Sequence, residues 1–213
     1  MQGITPKTAS SPAPIKPATS PPADAPQDSV RVASQPSPPQ EPPPDRSCTV
    51  VLAEAMDLYQ DARRSAHGPA PESAFSRAAD ALEKAMARCA AESPWNWRAA
   101  ALALANSHYL SSHYASSAAW YREAVRRRPS GADDRHPMQM AEILTSCASD
   151  TRLLDIMRLG SLKLTGEADS MARREALLLF EGLRKDATCL PMQKAATQSI
   201  EALRRQLGLG STG

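Results

Sequence analysis

Hydrophobic positions after residue 47 recur at three- and four-residue intervals, the spacing of one face of an α-helix. The clearest stripe consists of Phe75, Ala79, Leu82, Met86 and Cys89, at steps of 4, 3, 4 and 3. No run of β-branched residues at two-residue spacing occurs in the sequence. The pattern therefore predicts an all-α fold.

Helix breakers and capping residues divide this pattern into separate helices. Gly68-Pro69-Ala70-Pro71 ends the first, and Pro191 and Gly208 bracket the last, in the usual order of proline at a helix start and glycine past its end. The predicted helices are Thr49–His67, Glu72–Ala91, one from Ser93-Pro94 to Ser111-Ser112, one from Tyr114 to near Pro129, Met138–Cys147, Thr151–Leu164, Glu167–Arg184 and Pro191–Leu207.

The start of the chain has a different composition. Of its 19 prolines, 13 precede residue 45, and Met1–Pro44 contains no aromatic residue. Such a segment buries too little apolar surface to offset its ordering entropy, and its prolines favour extended polyproline II. We therefore predict a disordered proline-rich arm over 1–46 that acts as a spacer or a second ligand, a helical domain over 47–208 and a flexible tail over 209–213.

The segment Ala101–Pro129 carries the best-defined motif. Ser117, Tyr121, Ala124 and Pro129 follow Tyr114 at +3, +7, +10 and +15, after a Leu104-Ala105 pair. This arrangement resembles the tetratricopeptide repeat, although Ser117 replaces the usual alanine, His108 the usual tyrosine and Ser112 the turn glycine. A looser copy, at Phe75, Ala78, Leu82 and Ala85, extends the resemblance over roughly residues 50–131.

The resemblance implies stacked antiparallel helix pairs, about seven or eight helices in a right-handed superhelix whose concave groove holds a peptide of a partner protein. A plain helical bundle is the alternative fold. We predict a non-enzymatic scaffold or adaptor for protein–protein interaction, and the candidate partner-binding residues are Asn106, Tyr109, Trp120, Arg126 and Arg127. Trp120 and the adjacent Tyr121 cannot face the same way, so we expect one of them to be exposed.

Residues that carry catalytic or metal chemistry are sparse. His108 and His113 are five apart, not at the i, i+4 spacing of two metal ligands on one helix face. The nine glycines form no phosphate-binding loop, and the paired carboxylates Asp133 and Asp134 fall in a predicted loop, where we expect them to be solvated. We therefore expect no catalytic residue, no metal site, no cofactor and no small-molecule substrate.

The charges are nearly balanced, with 25 Lys and Arg against 23 Asp and Glu. The arginines nevertheless form short clusters, which are Arg63-Arg64, Arg126-Arg127-Arg128, Arg173-Arg174 and Arg204-Arg205. We expect them at helix ends or on solvated faces, where they suit the helix dipole. A nucleic-acid-associated helical domain is the alternative function, and convergence of these clusters on one face would favour it.

The four cysteines have two interpretations. They are either reduced core residues or two disulfides, and in the second case the helix ends favour the pairs Cys48–Cys89 and Cys147–Cys189. Disulfides would place the domain in an oxidising compartment such as a bacterial periplasm.

No stretch of the sequence approaches the ~20 apolar residues that span a bilayer, and the first residues lack the apolar core of a secretory signal. We therefore expect either a cytoplasmic protein or, where an upstream signal or anchor precedes this chain, a protein of the bacterial envelope. In the second case an envelope or secretion-type assembly is the predicted context.

Overall fold

The structure, a computed structural model, describes residues 47–89 and 93–209. These residues form eight helices and no strand, so the predicted all-α class and helix number are confirmed. The helices are α1 (Cys48–Arg64), α2 (Pro71–Arg88), α3 (Pro94–Leu110), α4 (Tyr114–Arg126), α5 (Arg135–Ser146), α6 (Thr151–Lys163), α7 (Ser170–Asp186) and α8 (Leu190–Gln206). None of these eight helices is long and apolar enough to cross a membrane. The predicted arm over 1–46 and residues 210–213 of the predicted tail lie outside the described residues.

Side-chain caps fix several helix starts. Ser93, Asp150 and Asp169 accept hydrogen bonds from backbone N–H groups three residues ahead, at 3.3, 3.1 and 2.7 Å. Each bond satisfies one of the donors that a helix start leaves unpaired. The Asp169 cap explains why α7 begins at Ser170 and not at the predicted Glu167.

Several other boundaries also differ from the sequence prediction, among them the start of α5 and the end of α1. α5 begins at Arg135, so Pro137 lies inside it and not in the preceding loop, as the first turn of a helix permits. α1 ends at Arg64, three residues before the predicted end, because the backbone turns at Ser65, whose hydroxyl bonds to the carbonyl of Asp61 at 2.9 Å.

Each of the helices α1 to α4 packs against the next one, so that α1 to α5 form an antiparallel layer, as predicted. Small side chains allow close approach: Ala105 and Ala124 are fully buried, and the Ser117 hydroxyl donates to the carbonyl of Ala105 at 2.8 Å across α3 and α4. Ser112, in the turn between these helices, has a φ of 67°, the left-handed conformation that favours glycine.

The regular stacking ends at α5. Helices α6, α7 and α8 pack against one another, and they return to the layer through contacts of α6 with α3 and of α8 with α5. Gly160 of α6 allows one close contact inside this C-terminal block, because a Cβ there would lie 2.9 Å from the ring of Phe180 in α7. The described residues thus form a five-helix layer and a three-helix block that packs back on it.

Helix α6 crosses the end of the layer at which α1 and α3 finish and α2 and α4 begin. Its Asp155 accepts a hydrogen bond from Tyr114, the first residue of α4. Arg158 donates to the carbonyl of Leu110, the last residue of α3, and pairs with Glu72 in the first turn of α2. Beyond α6, the backbone of Gly166 lies against the Arg63 carbonyl near the end of α1.

A substitution at Gly166 tests whether the chain after α6 lies against the end of α1. A Cβ at Gly166 would lie 2.7 Å from the Arg63 carbonyl oxygen, and its φ of 76° disfavours a side chain as well. We expect Gly166→Ala to lower the free energy of unfolding by about 2–3 kcal/mol, of which about 1–2 kcal/mol comes from φ alone. Gly131→Ala is the matched control, because Gly131 has a φ of 80° and open space around it. Urea denaturation measures the free energy of unfolding of both variants. Equal losses in the two would show that the turn at Gly166 does not lie against α1.

Candidate functional site

Both predicted cysteine pairs lie at disulfide distance. The Cα atoms of Cys48 and Cys89 are 5.4 Å apart, those of Cys147 and Cys189 are 5.7 Å apart, and each pair is bonded. In both pairs a buried cysteine at the C-terminal end of one helix joins a half-buried cysteine at the N-terminal end of another. The first bond ties α1 to its neighbour α2, whereas the second ties α5 to α8.

A half-open cavity of about 230 Å³ lies between the layer and α6. We call it the central groove. It is lined by Tyr59, Arg63, Asn106, Tyr109, Leu110, Tyr121, His136, Met140, Ser161, Leu164 and Thr165. Helices α1 and α5 thus form its sides, α3 and α4 its floor, and α6 with the residues after it closes one end.

Asn106 organises the floor of the groove. Its side-chain oxygen accepts a hydrogen bond of 2.5 Å from the hydroxyl of Tyr121, and Tyr59 of α1 belongs to the same lining. Burial raises the pKa of both tyrosines above the ordinary value, so the two hydroxyls stay protonated at neutral pH. The floor therefore offers neutral amide and hydroxyl groups beside aromatic rings.

Basic side chains stand at the rim. The guanidinium of Arg63 lies 5.9 Å from the Tyr59 ring and donates to Gln60 at 3.2 Å. The rings of His136 and Tyr121 are perpendicular, with their centroids 6.1 Å apart. Partial burial lowers the pKa of His136, which favours its neutral form at pH 7. No acidic side chain is among those that line the groove. The electrostatics suit a neutral or acidic occupant.

A second cavity, of about 280 Å³, continues from the groove between α5 and the C-terminal block. We call it the wedge. It shares His136, Met140 and Ser161 with the groove, and it adds Gln139, Ile143, Met157, Phe180, Ala195, Gln198, Ser199 and Ala202. Its lining is richer in apolar side chains than that of the groove. It exists because α5 and α6, although consecutive, are not a packed pair.

Arg158 holds α6 in place at the closed end of the groove. Its side chain is 7 % exposed and lies 2.6 Å from Glu72 and 3.5 Å from Asp155. Tyr114 donates to the same Asp155, and burial, helped by this bond, raises the pKa of Tyr114 to about 12. A buried guanidinium needs such partners, so this cluster specifies where α6 docks.

The five candidate partner-binding residues lie in two separate places. Asn106 and Tyr109 line the groove, although the Tyr109 ring is buried and its hydroxyl bonds to Ser161 at 3.3 Å. Trp120, Arg126 and Arg127 lie on α4 or at its end, outside the groove lining.

Around Trp120 the side chains pack on one another. The half-buried Trp120 ring lies 6.4 Å from Trp97, and the Arg127 guanidinium lies 4.6 Å from the Trp97 ring. Arg126 and Arg127 both pair with Glu123. Tyr121, next to Trp120, is fully buried. These contacts favour a structural role for the cluster.

Three of the four arginine clusters contain an arginine in an ion pair. Arg64 pairs with Asp61, Arg128 with Asp134 and Arg204 with Glu181. Arg63 and Arg64 lie at the end of the layer that α6 crosses, whereas the cluster at the end of α4 lies at the opposite end, because α1 and α4 run antiparallel. These two clusters therefore do not belong to one continuous basic surface.

One carboxylate departs from its predicted environment. Asp134, expected to be solvated, is buried and forms ion pairs with Arg98 at 2.8 Å and Arg128 at 2.7 Å. These arginines, Arg128 first, lower the pKa of Asp134. Asp133 is exposed and binds Arg135.

Two histidine contacts resemble parts of acid–base dyads. His108 lies 3.0 Å from Glu83, and His113 lies 3.0 Å from the Ser111 hydroxyl. That hydroxyl also donates to the carbonyl of Ser107 at 2.8 Å, so its proton points toward the end of α3 and not toward the imidazole. The arrangement fits a helix cap.

The sequence did not predict Arg63, His136 or Arg158 as residues of a binding site, although Arg63 belongs to one of the arginine clusters. Arg158 carries a signal that could have found it, because it follows Leu154 and Met157 on the apolar stripe of α6, where a charge needs a partner. Arg63 and His136 carry no comparable signal, since helices distant in sequence bring them to one rim.

Comparisons of the chain with protein-family models, with curated proteins and with solved structures find no match. The resemblance of residues 50–131 to tetratricopeptide repeats stays a prediction. The geometry of the groove and the two disulfides are therefore the features of this protein that bear on its function.

Arg158 tests the docking of α6. We expect Arg158→Met to lower the free energy of unfolding by about 1–3 kcal/mol, because it leaves the Leu110 carbonyl without its donor and removes the ion pairs with Glu72 and Asp155. Arg152→Met, on the exposed face of α6, should change it by less than about 0.5 kcal/mol. Chemical denaturation measures both. Equal stability of the two variants would contradict the docking role.

Proposed function

We propose that this protein is a non-enzymatic scaffold that binds a segment of a partner protein in the central groove. The observation that carries the proposal is the groove itself, an open cavity whose lining combines aromatic rings, an amide and basic groups. Such linings favour peptides, because the rings supply apolar contact and the amide and hydroxyls pair with a backbone.

The shape of the cavity supports a short segment as the occupant. α6 closes one end, so the occupant enters from the open side and continues toward the wedge. Apolar side chains of the partner would fill the wedge against Met140, Ile143 and Phe180. The groove would hold the more polar part, beside Arg63 and Asn106.

The cysteine pairs support an oxidising compartment as the place of function. Two bonded pairs stabilise a domain where thiols are kept oxidised, and such bonds are rare in a reducing cytoplasm. We propose the bacterial periplasm or envelope, and an envelope or secretion-type assembly as the context. The proline-rich segment over 1–46 would then serve as a spacer that carries the helical domain.

Site-specific photo-crosslinking tests the groove. We expect a benzophenone amino acid in place of His136, at the groove rim, to form a covalent adduct with a distinct partner in cells of the source organism. Glu142 is the matched control, because it is exposed on the same helix but does not line the groove or the wedge. Mass spectrometry identifies the adduct.

The control decides how an adduct is interpreted. A partner captured from position 136 and absent from position 142 supports the groove. Capture from both positions with equal yield, or capture from position 142 alone, would move the binding surface elsewhere. No adduct from position 136 at any expression level would contradict the proposed function.

A further inference from the structure

The two disulfides differ in what else joins the helices they connect. Cys48–Cys89 links α1 and α2, which pack along their lengths. Cys147–Cys189 links α5 and α8, which contact each other much less, with Gln139 and Gln198 forming one side-chain bond of 2.9 Å. The second disulfide therefore accounts for more of the contact between the two helices it joins than the first disulfide does.

The position of the second bond connects it to the groove. α5 ends at Cys147 and α8 begins just after Cys189, and the wedge lies between α5 and the C-terminal block, lined by residues of both α5 and α8. Met192, Ala196, Ile200 and Leu203 of α8 are buried in an apolar cluster that contains residues of α7 and also of α5. Helix α8 nevertheless packs far more extensively against α7 than against α5. Helices α7 and α8 would thus move as one unit if the bond were broken.

We propose that the Cys147–Cys189 disulfide is a redox-sensitive clamp that sets the width of the wedge and thereby of the partner-binding groove. Its biological meaning rests on the proposed function, but the opening itself does not. When the bond is intact, the α7–α8 pair is held against α5. When it is reduced, the pair swings about α6, which the ion pairs of Arg158 keep on the layer.

The chemistry is a thiol–disulfide exchange with a dithiol as the reductant. One thiolate of the dithiol attacks the sulfur of Cys189, which is half-buried, whereas Cys147 is 2 % exposed. The bond between the two cysteines breaks, and its electron pair leaves with the sulfur of Cys147, which takes a proton from water. The second thiolate of the dithiol then displaces Cys189, so the dithiol is oxidised and both cysteines are reduced.

The end of the layer where α1 begins should be insensitive to this reaction. The apolar cluster around Leu82, Met86 and Trp97 contains residues of the helices α1, α2, α3 and α4 and none of α5 to α8. Loss of the clamp is therefore a local opening and leaves this cluster packed.

Methionine footprinting tests the clamp, because Met140 and Met157 line the wedge and Met86 lies in the other cluster. Hydroxyl radicals oxidise exposed methionines, and mass spectrometry gives the rate at each site. We expect Cys147→Ser combined with Cys189→Ser to raise oxidation of Met140 and Met157 by about fivefold or more, with Met86 changed less than about twofold. The paired variant Cys48→Ser and Cys89→Ser, the matched control, should leave Met140 and Met157 at the wild-type rate.

Reduction is tested directly in that control variant, where Cys147–Cys189 is the remaining disulfide. Addition of dithiothreitol should reproduce the increase at Met140 and Met157. Unchanged rates at both methionines, or an equal rise at Met86, would overturn the clamp, since the bond would then be inert or would hold the whole domain. The experiment uses the protein alone, so a failed photo-crosslink with an intact footprint change refutes the proposed function and not the clamp.

Discussion

The covalent tie between α5 and α8 is the constraint on which the arrangement of the C-terminal helices depends. Consecutive packing holds α1 to α5 together without it, but α5 and α6 do not continue that packing. The bond spans a sequence separation of 42 residues, and loop-closure entropy gives such a bond about 4 kcal/mol of stabilisation. That is a large fraction of the 5–15 kcal/mol that separates folded from unfolded domains.

Ion pairs, hydrogen bonds and one close backbone contact then fix the position of α6, which the disulfide does not determine. Arg158 meets Glu72, Asp155 and the end of α3, and Gly166 lies against the end of α1, so α6 has one position across the layer. The groove is a consequence of this crossing. A sixth helix stacked on α5 would have extended the layer and left its inner side open along its length.

The helices were predictable because their signals are local. Apolar spacing revealed each helix, and proline, glycine and serine marked most of the ends, whereas the cap at Asp169 and the early start of α5 were missed. The cysteine pairs were predictable for a related reason, since each cysteine sits at a helix end and few pairings bring helix ends together. The groove was harder to predict from the sequence, because Tyr59, Asn106 and His136 come together only through the stacking of α1, α3 and α5. Trp120, Arg126 and Arg127 have the composition of an interface, yet their contacts are with Trp97 and Glu123.

Cysteine connectivity in protein purified from its natural compartment is the most direct test of this account. Thiols are alkylated before lysis, and the protein is digested without reduction and mapped by mass spectrometry. The account predicts one linked peptide pair that contains Cys147 and Cys189, and a second that contains Cys48 and Cys89. Four alkylated thiols, or a link between Cys89 and Cys147, would contradict it.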